Sequence, residues 1–357
     1  MACEAGASRP SVLRGRGLKV SVTALSRAWR RVPAPLRVLV RLTVLLLAVS
    51  LVTFALVSAS PIDPVQANVG QTAYLTMSPE RRAALAERWG AGEGVLERWA
   101  AWLVDALHGD LGYSLRFNAP VVDVVAERLA GSALLLATAW LLSGALGLAL
   151  GVLAGARRGS RLDRIVCGWC YLLSATPTFW LAMLALMVFS VWLGWFPVGF
   201  ASAIGGTGAV SFAERLHHAA LPALVLSLTG VANVALHTRE KTLEVMEADY
   251  VRFARSRGES ERSIVVRHGL RNLVLPALTL QCAQVSEIIG GSVLVEQVFS
   301  YPGLGQAAVT AGLGGDAPLL VGIALATALL VFAGNLAANL LYGVVDPRLR
   351  AGEVHHG

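Results

Sequence analysis

The chain has 357 residues, of which 55% are hydrophobic and 15% are Asp, Glu, Lys or Arg, with a net charge of +7. Soluble domains carry about 25% charged residues, so the composition excludes a water-soluble globule. It also excludes a disordered chain, which needs low hydrophobicity and high net charge. Four cysteines exclude a disulfide scaffold. What remains is a membrane protein that crosses the bilayer several times.

Six segments are long and apolar enough to cross a bilayer as helices, which takes roughly 20 residues. In chain order they are residues 42–58, 129–156, 165–193, 219–237, 273–295 and 319–345. Pro177 and Pro222 fall inside the third and fourth segments, where neighbouring helices can satisfy the freed backbone groups. We therefore predict an all-α polytopic membrane protein with six transmembrane helices.

Glycines recur at every fourth residue of the second segment, at Gly147, Gly151 and Gly155. Small residues at this spacing share one face of a helix and let another helix approach closely. The pattern favours a tight helix contact on this face over a helix that is merely rich in glycine.

Basic residues favour the cytoplasmic side of a membrane. Most of the 30 Lys and Arg residues lie in four segments, 1–37, 157–164, 239–271 and 346–350. Both termini are therefore predicted to be cytoplasmic. The positive charge reflects this topology, and no pattern indicates nucleic-acid binding.

The predicted organisation has three parts: a basic cytoplasmic extension over residues 1–37, a transmembrane domain over 38–350 and a tail over 351–357. The start of the chain also resembles a secretory signal, with small residues at 58–60 after its apolar core. That core is long for a signal, and Pro61 would follow the cut. We therefore expect the segment to be retained as the first helix.

The connection over residues 59–128 is predicted to be external and is too large for a simple turn. Its pattern predicts short helices over 80–89 and 95–107. The apolar face of the second helix is predicted to hold Leu96, Trp99, Leu103 and Leu107. Such a helix lies in the membrane interface, caps the bundle or receives a partner protein, and the sequence leaves these three roles open.

The cytoplasmic connection over residues 239–271 is strongly charged and reads as two helical pieces broken at Gly258. Two short helices around a glycine turn form a rigid surface knob. Such a knob suits docking into a groove of a cytoplasmic protein, and a solvated charged loop is the alternative interpretation.

This connection resembles the coupling loop of permease subunits of binding-protein-dependent ABC importers, in the branch that moves dipeptides, oligopeptides or nickel. Residues 249–258 and 267–276 match the pattern of that branch closely, whereas only Ala254, Gly258 and Leu270 match the general permease pattern. Further segments that resemble the branch are 109–114, 158–164, 177–180, 193–197, 295–305 and 346–348. The resemblance covers roughly residues 36–350.

The resemblance implies the type I ABC importer permease fold and the first of two permease subunits. Such a subunit forms half of the translocation path for peptides or a related small solute in the cytoplasmic membrane of a bacterium. The implied partners are two ABC ATPase subunits, a second homologous permease and an extracytoplasmic solute-binding protein. The implied ATPase-coupling residues are Asp249, Tyr250, Arg252, Ala254, Arg255, Arg257, Gly258, Glu261 and Arg262.

The chain has no Gly-x-x-x-x-Gly-Lys-[Ser/Thr] loop to bind ATP phosphates, and neither Lys19 nor Lys241 follows such a loop. We therefore expect a transport subunit without an ATPase site or a directly bound cofactor, with ATP and Mg on partner subunits. The sequence also lacks a His-Glu-x-x-His zinc helix and a Gly-x-Ser-x-Gly elbow, so an intramembrane enzyme is not expected. The alternatives are an ion-coupled secondary transporter, for which no convincing inverted repeat is visible, and an assembly scaffold.

Polar residues inside the fifth segment are candidates for the translocation path. Gln281, Gln284 and Glu287 recur at three-residue spacing and are predicted to face one direction. The hypothesis is that Glu287 faces the path and assists a cationic group such as a peptide amine or a metal. The alternative is that Glu287 bonds to a polar group or water within the bundle.

Cys167 and Cys170 have the spacing of a redox pair, and His217 and His218 are adjacent. The cysteines begin a membrane helix on the reducing side, without a surrounding βαβ pattern. No third ligand accompanies the histidines. We therefore expect ordinary buried thiols and no metal site.

Overall fold

The computed structural model describes residues 33–60, 64–88, 94–199 and 211–345. Most of the predicted extension and the whole of the predicted tail therefore lie outside the described residues. The chain divides into a unit over Met1–Ala48 and a unit over Val49–Gly357. The first helix, α1, runs over Ala34–Ser58. The described residues of the first unit belong almost entirely to the first part of this helix. All contacts given below lie within the second unit.

The external segment holds four short helices and a small hairpin. They are α2 (Pro64–Val69), α3 (Gln71–Thr76), α4 (Pro79–Arg88), α5 (Val95–Leu107), β1 (Tyr113–Ser114) and β2 (Ala119–Pro120). The two strands are antiparallel, with Tyr113 opposite Pro120. The two predicted external helices are confirmed as α4 and α5, and Trp89, the last residue predicted for the first of them, lies outside the described residues.

The membrane helices and the cytoplasmic connection follow. They are α6 (Val121–Ala156), α7 (Arg161–Ala175), α8 (Thr178–Ala185) with a π-helical continuation (Leu186–Trp192), α9 (Phe212–Glu247), α10 (Asp249–Ser256), α11 (Glu261–Ile264), a π-helical turn (Val265–Gly269), α12 (Leu270–Ala283), α13 (Val285–Val298), α14 (Leu304–Gly314) and α15 (Ala317–Val345).

Among the described residues, four helices are long and apolar enough to cross a membrane on their own. They are Pro35–Ser58, Val121–Ala156, Phe212–Glu247 and Ala317–Ala338. Two further spans are bent pairs, Arg161–Ala175 with Thr178–Trp192 at 105° and Asn272–Ala283 with Val285–Val298 at 51°. Counting each bent pair as one span gives the six spans that the sequence predicts.

The third span breaks at an elbow formed by Thr176 and Pro177. Pro177 lacks an N–H group and disfavours helical geometry at the residue before it, so Thr176 is extended, with φ −100° and ψ 127°. Its hydroxyl donates to the carbonyl oxygen of Leu172 at 2.7 Å, which satisfies one freed backbone group. Pro222, in contrast, lies inside α9 without breaking it.

The three glycines of α6 lie directly against α9. A Cβ atom added at Gly147 would lie 2.6 Å from Cβ of Val234, and one added at Gly151 would lie 2.6 Å from the carbonyl oxygen of Ala235. At Gly155 the added atom would lie 2.5 Å from Cβ of Thr242. The predicted tight contact is therefore confirmed, and α9 is the helix that uses it.

The external helix α5 covers the outer ends of α1 and α15. Trp102 is buried with Phe54 and Val321, its ring centroid lying 5.5 Å from that of Phe54. Trp99 donates from Nε1 to the hydroxyl of Ser50 at 3.0 Å. Of the three roles that the sequence leaves open, capping the bundle is the one that these contacts support.

The predicted apolar face of α5 is only half right. Trp99 and Leu103 pack against the core as expected, but Leu96 and Leu107 are exposed. The buried side of α5 is centred instead on Trp102, which packs against the ends of α1 and α15.

A buried carboxyl group holds the N-terminus of α14. Glu296 is fully buried and accepts hydrogen bonds from the hydroxyl of Ser132 at 2.7 Å and from the backbone N–H groups of Gly305 at 2.7 Å and Gln306 at 3.1 Å. The first N–H groups of a helix have no partner within it, so an external acceptor is required. A side chain at Gly303 would overlap Glu296. The segment 295–305, conspicuous in the sequence, is thus a capping structure.

We expect Gly151→Ala to lower the free energy of unfolding by about 1–3 kcal/mol, because the added methyl group overlaps α9. The measurement is the midpoint of thermal unfolding of the purified protein in detergent, followed by Trp fluorescence. Gly168→Ala is the matched control, since a Cβ there meets nothing within 4 Å. An equal effect of the two substitutions would contradict the tight contact.

Replacing Glu296 with Ala leaves three donors unsatisfied, each at about 1–3 kcal/mol. We expect a loss of at least about 3 kcal/mol in the free energy of unfolding, measured in the same way. Glu240→Ala, at an exposed position of α9, serves as the control and is expected to change stability by less than about 0.5 kcal/mol. Wild-type stability of the Glu296 variant would show that this carboxyl group does not hold α14.

Candidate functional site

Two short helices around a glycine turn form the cytoplasmic knob, which we call the coupling element (residues 249–264). The chain leaves α9 through the extended residue Ala248, and α10 begins at Asp249. Gly258 has φ +81°, a conformation that residues with a Cβ atom rarely adopt. Ser260 then caps α11 by accepting from the N–H group of Ser263 at 3.3 Å. The predicted break at Gly258 is confirmed.

The coupling element has its own small core. Val251 and Ile264 are fully buried, and Ala254 and Met246 are nearly so. A helix of eight residues is not stable alone in water, so α10 depends on this packing. Ala254, one of the predicted coupling residues, therefore belongs to the core of the element and not to its outer surface.

A bidentate ion pair joins the two helices of the coupling element. Arg255 donates from Nε to Oε1 of Glu261 at 2.7 Å and from Nη2 to Oε2 at 3.1 Å. The hydrogen bond from Arg255 lowers the pKa of Glu261 against the opposing effect of burial, and the same bond raises the pKa of Arg255. Two of the predicted coupling residues thus pair with each other and brace the turn.

The outer surface of the coupling element is aromatic and cationic. Phe253 is 65% exposed, and Tyr250, Arg252 and Arg257 are also exposed. The guanidinium of Arg257 lies 6.0 Å from the ring centroid of Phe253. Asp249, which lies 3.6 Å from Arg252, and Arg262 are also exposed. Exposed aromatic residues beside arginines are typical of the centre of a protein interface.

Sequence reasoning missed Phe253. The available signal was the spacing of Val251 and Ala254, which share the buried face of α10 and leave the two residues between them, Arg252 and Phe253, on other faces. A large apolar residue at the position of Phe253 is either solvent-exposed or covered by a partner.

Side-chain contacts tie the coupling element to the membrane helices. Tyr250 accepts from Nδ2 of Asn272 in α12 at 3.0 Å, and His268 lies 3.3 Å from Glu259. On the other side, Arg158 pairs with Glu247 at the end of α9 at 2.7 Å. The element is therefore connected to the helices that precede and follow it.

A buried ion pair links α7 to α9 above the coupling element. Arg239 donates to the two carboxylate oxygens of Asp163 at 2.5 and 2.9 Å, and the N–H group of Gly159 donates to the same carboxylate at 2.9 Å. Cys167 also contacts Asp163, through its thiol at 3.4 Å, and Cys170 is packed in the core. Cys167 and Cys170, which have the spacing of a redox pair, therefore contribute a hydrogen bond and core packing respectively.

The three polar residues of the fifth span do not face one direction, so that expectation is wrong. Gln281 is buried and donates from Nε2 to the carbonyl oxygen of Trp140 at 2.6 Å and to the hydroxyl of Ser143 at 2.7 Å. Gln284 is also buried, whereas Glu287 is exposed. The reason is the bend of 51° at Gln284, which changes the direction of α13 relative to α12.

Comparison with known proteins agrees with this architecture. Residues 147–351 match the family model described as binding-protein-dependent transport system inner membrane component. The chain is 34% identical over 310 residues to the oligopeptide transport system permease protein AppB of Bacillus subtilis (strain 168), a match that covers 85% of this chain and 95% of that protein.

Two further relatives are similar over the same share of the chain. Identity is 37% over 309 residues to a putative peptide transport system permease protein of Brucella abortus (strain 2308), covering 85% and 95% of the two chains. It is 33% over 324 residues to the dipeptide transport system permease protein DppB of Escherichia coli (strain K12), covering 85% and 94%. The chain therefore belongs to the family of binding-protein-dependent transport system inner membrane components, as a membrane-embedded ABC importer permease subunit with the type I fold.

Proposed function

We propose that this chain is one of two homologous permease subunits of a peptide importer and that its coupling element docks into an ATPase subunit on the cytoplasmic side. The proposal is carried by one observation. The turn that is stabilised by the ion pair of Arg255 bears an exposed surface made of Tyr250, Arg252, Phe253 and Arg257. The remaining partners are a second ATPase subunit, the second permease and an extracytoplasmic solute-binding protein. ATP with Mg binds to the ATPase subunits, since this chain has no phosphate-binding loop.

The relatives support peptides as the cargo, because their names refer to oligopeptides, dipeptides or peptides. In such a system the binding protein delivers the solute from outside. The permease pair then provides the path, and the ATPases provide the free energy.

Transport requires that ATP favours one of two conformations of the permease, which needs a difference in binding between them. The coupling element is suited to this task because its core and its ion pair make it move as one body. Tyr250 passes the displacement to α12 through Asn272, and Ala248 passes it to α9 through the backbone. The pair of Asp163 and Arg239 carries it on to α7.

The translocation path passes along the exposed face of α13 that bears Glu287. A carboxylate at membrane depth is unfavourable against lipid and faces water, a partner or the path. Gln281 and Gln284 lie behind this wall inside the bundle, where Gln281 holds α12 against α6 through its hydrogen bonds and Gln284 lies beside Gly230 of α9. On this proposal the bend at Gln284 lies beside the path.

Phe253→Ala should weaken the attachment of the ATPases about 30-fold, as expected for an aromatic residue at the centre of an interface. The protein is purified through a C-terminal tag after mild solubilisation, and the co-purified subunits are quantified by mass spectrometry. Wild type should retain two phosphate-binding-loop ATPases and a second six-helix permease. Peptide uptake by intact cells should fall with the loss of the ATPases.

Phe212→Ala is the matched control. Phe212 is similarly exposed, but it lies at the start of α9, at the other end of that helix from the coupling element. This variant should keep the ATPases and the uptake activity. A wild-type chain that purifies alone, from cells in which its neighbouring genes are expressed, would refute the importer. A Phe253 variant that behaves like wild type would refute the docking surface only.

Glu261→Gln should loosen the coupling element, seen as faster hydrogen–deuterium exchange over residues 249–264. Because the folded-state pKa of Glu261 is lowered below 4.5, the ion pair contributes fully at pH 7 and is lost as the pH falls through that folded-state value. The difference between variant and wild type, corrected for intrinsic exchange, should therefore narrow in acid. Glu244→Gln, which removes the exposed pair with Lys241 outside the element, should leave this segment unchanged. A difference that persists unchanged in acid would argue against the pair.

A further inference from the structure

Glu287 lies close to the middle of the fifth span. Helix rise places it roughly 22 Å from the start of the bent pair at Asn272 and roughly 16 Å from its end at Val298. The residue is exposed, and no hydrogen bond or ion pair joins it to another described residue. A charge in this position is costly unless water or a cation accompanies it.

The neighbours of Glu287 on this face of α13 are small. Gly290, one turn further along α13, and Ala283, the last residue of α12 before the bend, are both exposed, and a Cβ atom added at Gly290 would meet nothing within 4 Å. The opposite face, with Ile288, Ile289 and other side chains, is buried in the core of the same chain. The helix thus presents a carboxyl group in an open, uncrowded strip to whatever lies outside this subunit.

Among the described residues, none supplies a cation to Glu287. The described parts of the six predicted spans contain no Lys or Arg, and Glu296, the acidic residue just past the end of the fifth span, is occupied in capping α14. A cationic partner for Glu287 is therefore to be sought outside the described residues. Among the described residues no group of three His, Cys, Asp or Glu side chains is placed to hold a metal ion, so the arrangement suits an organic cation better than a divalent metal.

We propose that Glu287 is a binding subsite for the amino-terminal ammonium group of a transported peptide. This inference rests on the proposed function and adds the chemical group that the path recognises. Every unmodified peptide carries that ammonium group whatever its side chains, so a single carboxylate serves cargo of varied sequence. The attraction between unit charges strengthens as the local dielectric constant falls, which favours a site at membrane depth. Ala283 and Gly290 leave room for the peptide backbone beside the carboxylate.

The test uses Gly290→Cys in the complete transporter complex in lipid nanodiscs, after the four native cysteines are replaced with serine. The introduced thiol is labelled with a cationic reagent, 2-aminoethyl methanethiosulfonate, and an anionic one, 2-sulfonatoethyl methanethiosulfonate. With Glu287 present, the ratio of cationic to anionic labelling rates, normalised to a free thiol, should exceed about fivefold. Adding Glu287→Gln should bring the ratio close to one, while Glu287→Asp should keep it.

Trialanine should slow the labelling, and N-acetyl-trialanine, which lacks the ammonium group, should not. The difference between the two peptides should disappear with Glu287→Gln. A thiol that neither reagent reaches would mean that lipid or the second permease covers this face, and equal protection by the two peptides would mean that the ammonium group is not recognised. Either result overturns the subsite while the ATPases still co-purify. Failure of the wild-type chain to retain the ATPases would instead count against the importer itself.

Discussion

The close contact between α6 and α9 is the constraint on which the rest of the bundle depends. Lipid tails are as apolar as leucine side chains, so membrane helices associate through close packing and not through burial from water. Gly147, Gly151 and Gly155 allow that packing by removing side chains where the backbones meet. Because α6 leads into α7 and α9 leads into the coupling element, the same contact sets the distance over which Asp163 and Arg239 pair. The cytoplasmic surface is thereby built on a fixed pair of helices.

Buried carboxyl groups stabilise the external side in a related way. Glu296 accepts from the first N–H groups of α14, and Asp316 accepts from the hydroxyl of Ser114 at 2.7 Å and from the N–H group of Leu319 at 3.2 Å. Each carboxyl group serves the start of a helix that has no solvent to satisfy it. Asp316 also attaches the small hairpin to α15, so one acidic residue fixes both the helix and the external segment.

The sequence predicts the spans well because a long run of apolar residues inside a bilayer has to satisfy its backbone hydrogen bonds internally, as a helix does. It also predicts the turn at Gly258, where only glycine adopts the required φ readily. The prediction fails where the structure depends on which parts of the chain are brought together by the fold. The bend at Gln284 has no proline or glycine to mark it, and the pairing of Arg255 with Glu261 depends on how two helices fold back on each other. Phe253 was missed for a different reason, since charged residues dominate the sequence pattern around it.

The elbow at Thr176 and Pro177 bears on how this subunit is made in the cell. It lies beside the middle of α9, where Leu173 packs against Ala232, and Pro177 itself is exposed. Irregular backbone at membrane depth persists only when protein or a water-filled cavity covers it. A copy whose elbow lacks such cover presents this irregular backbone to lipid, which distinguishes it from a copy whose elbow is covered. Covering the elbow is therefore a requirement that insertion of this chain into the membrane has to meet.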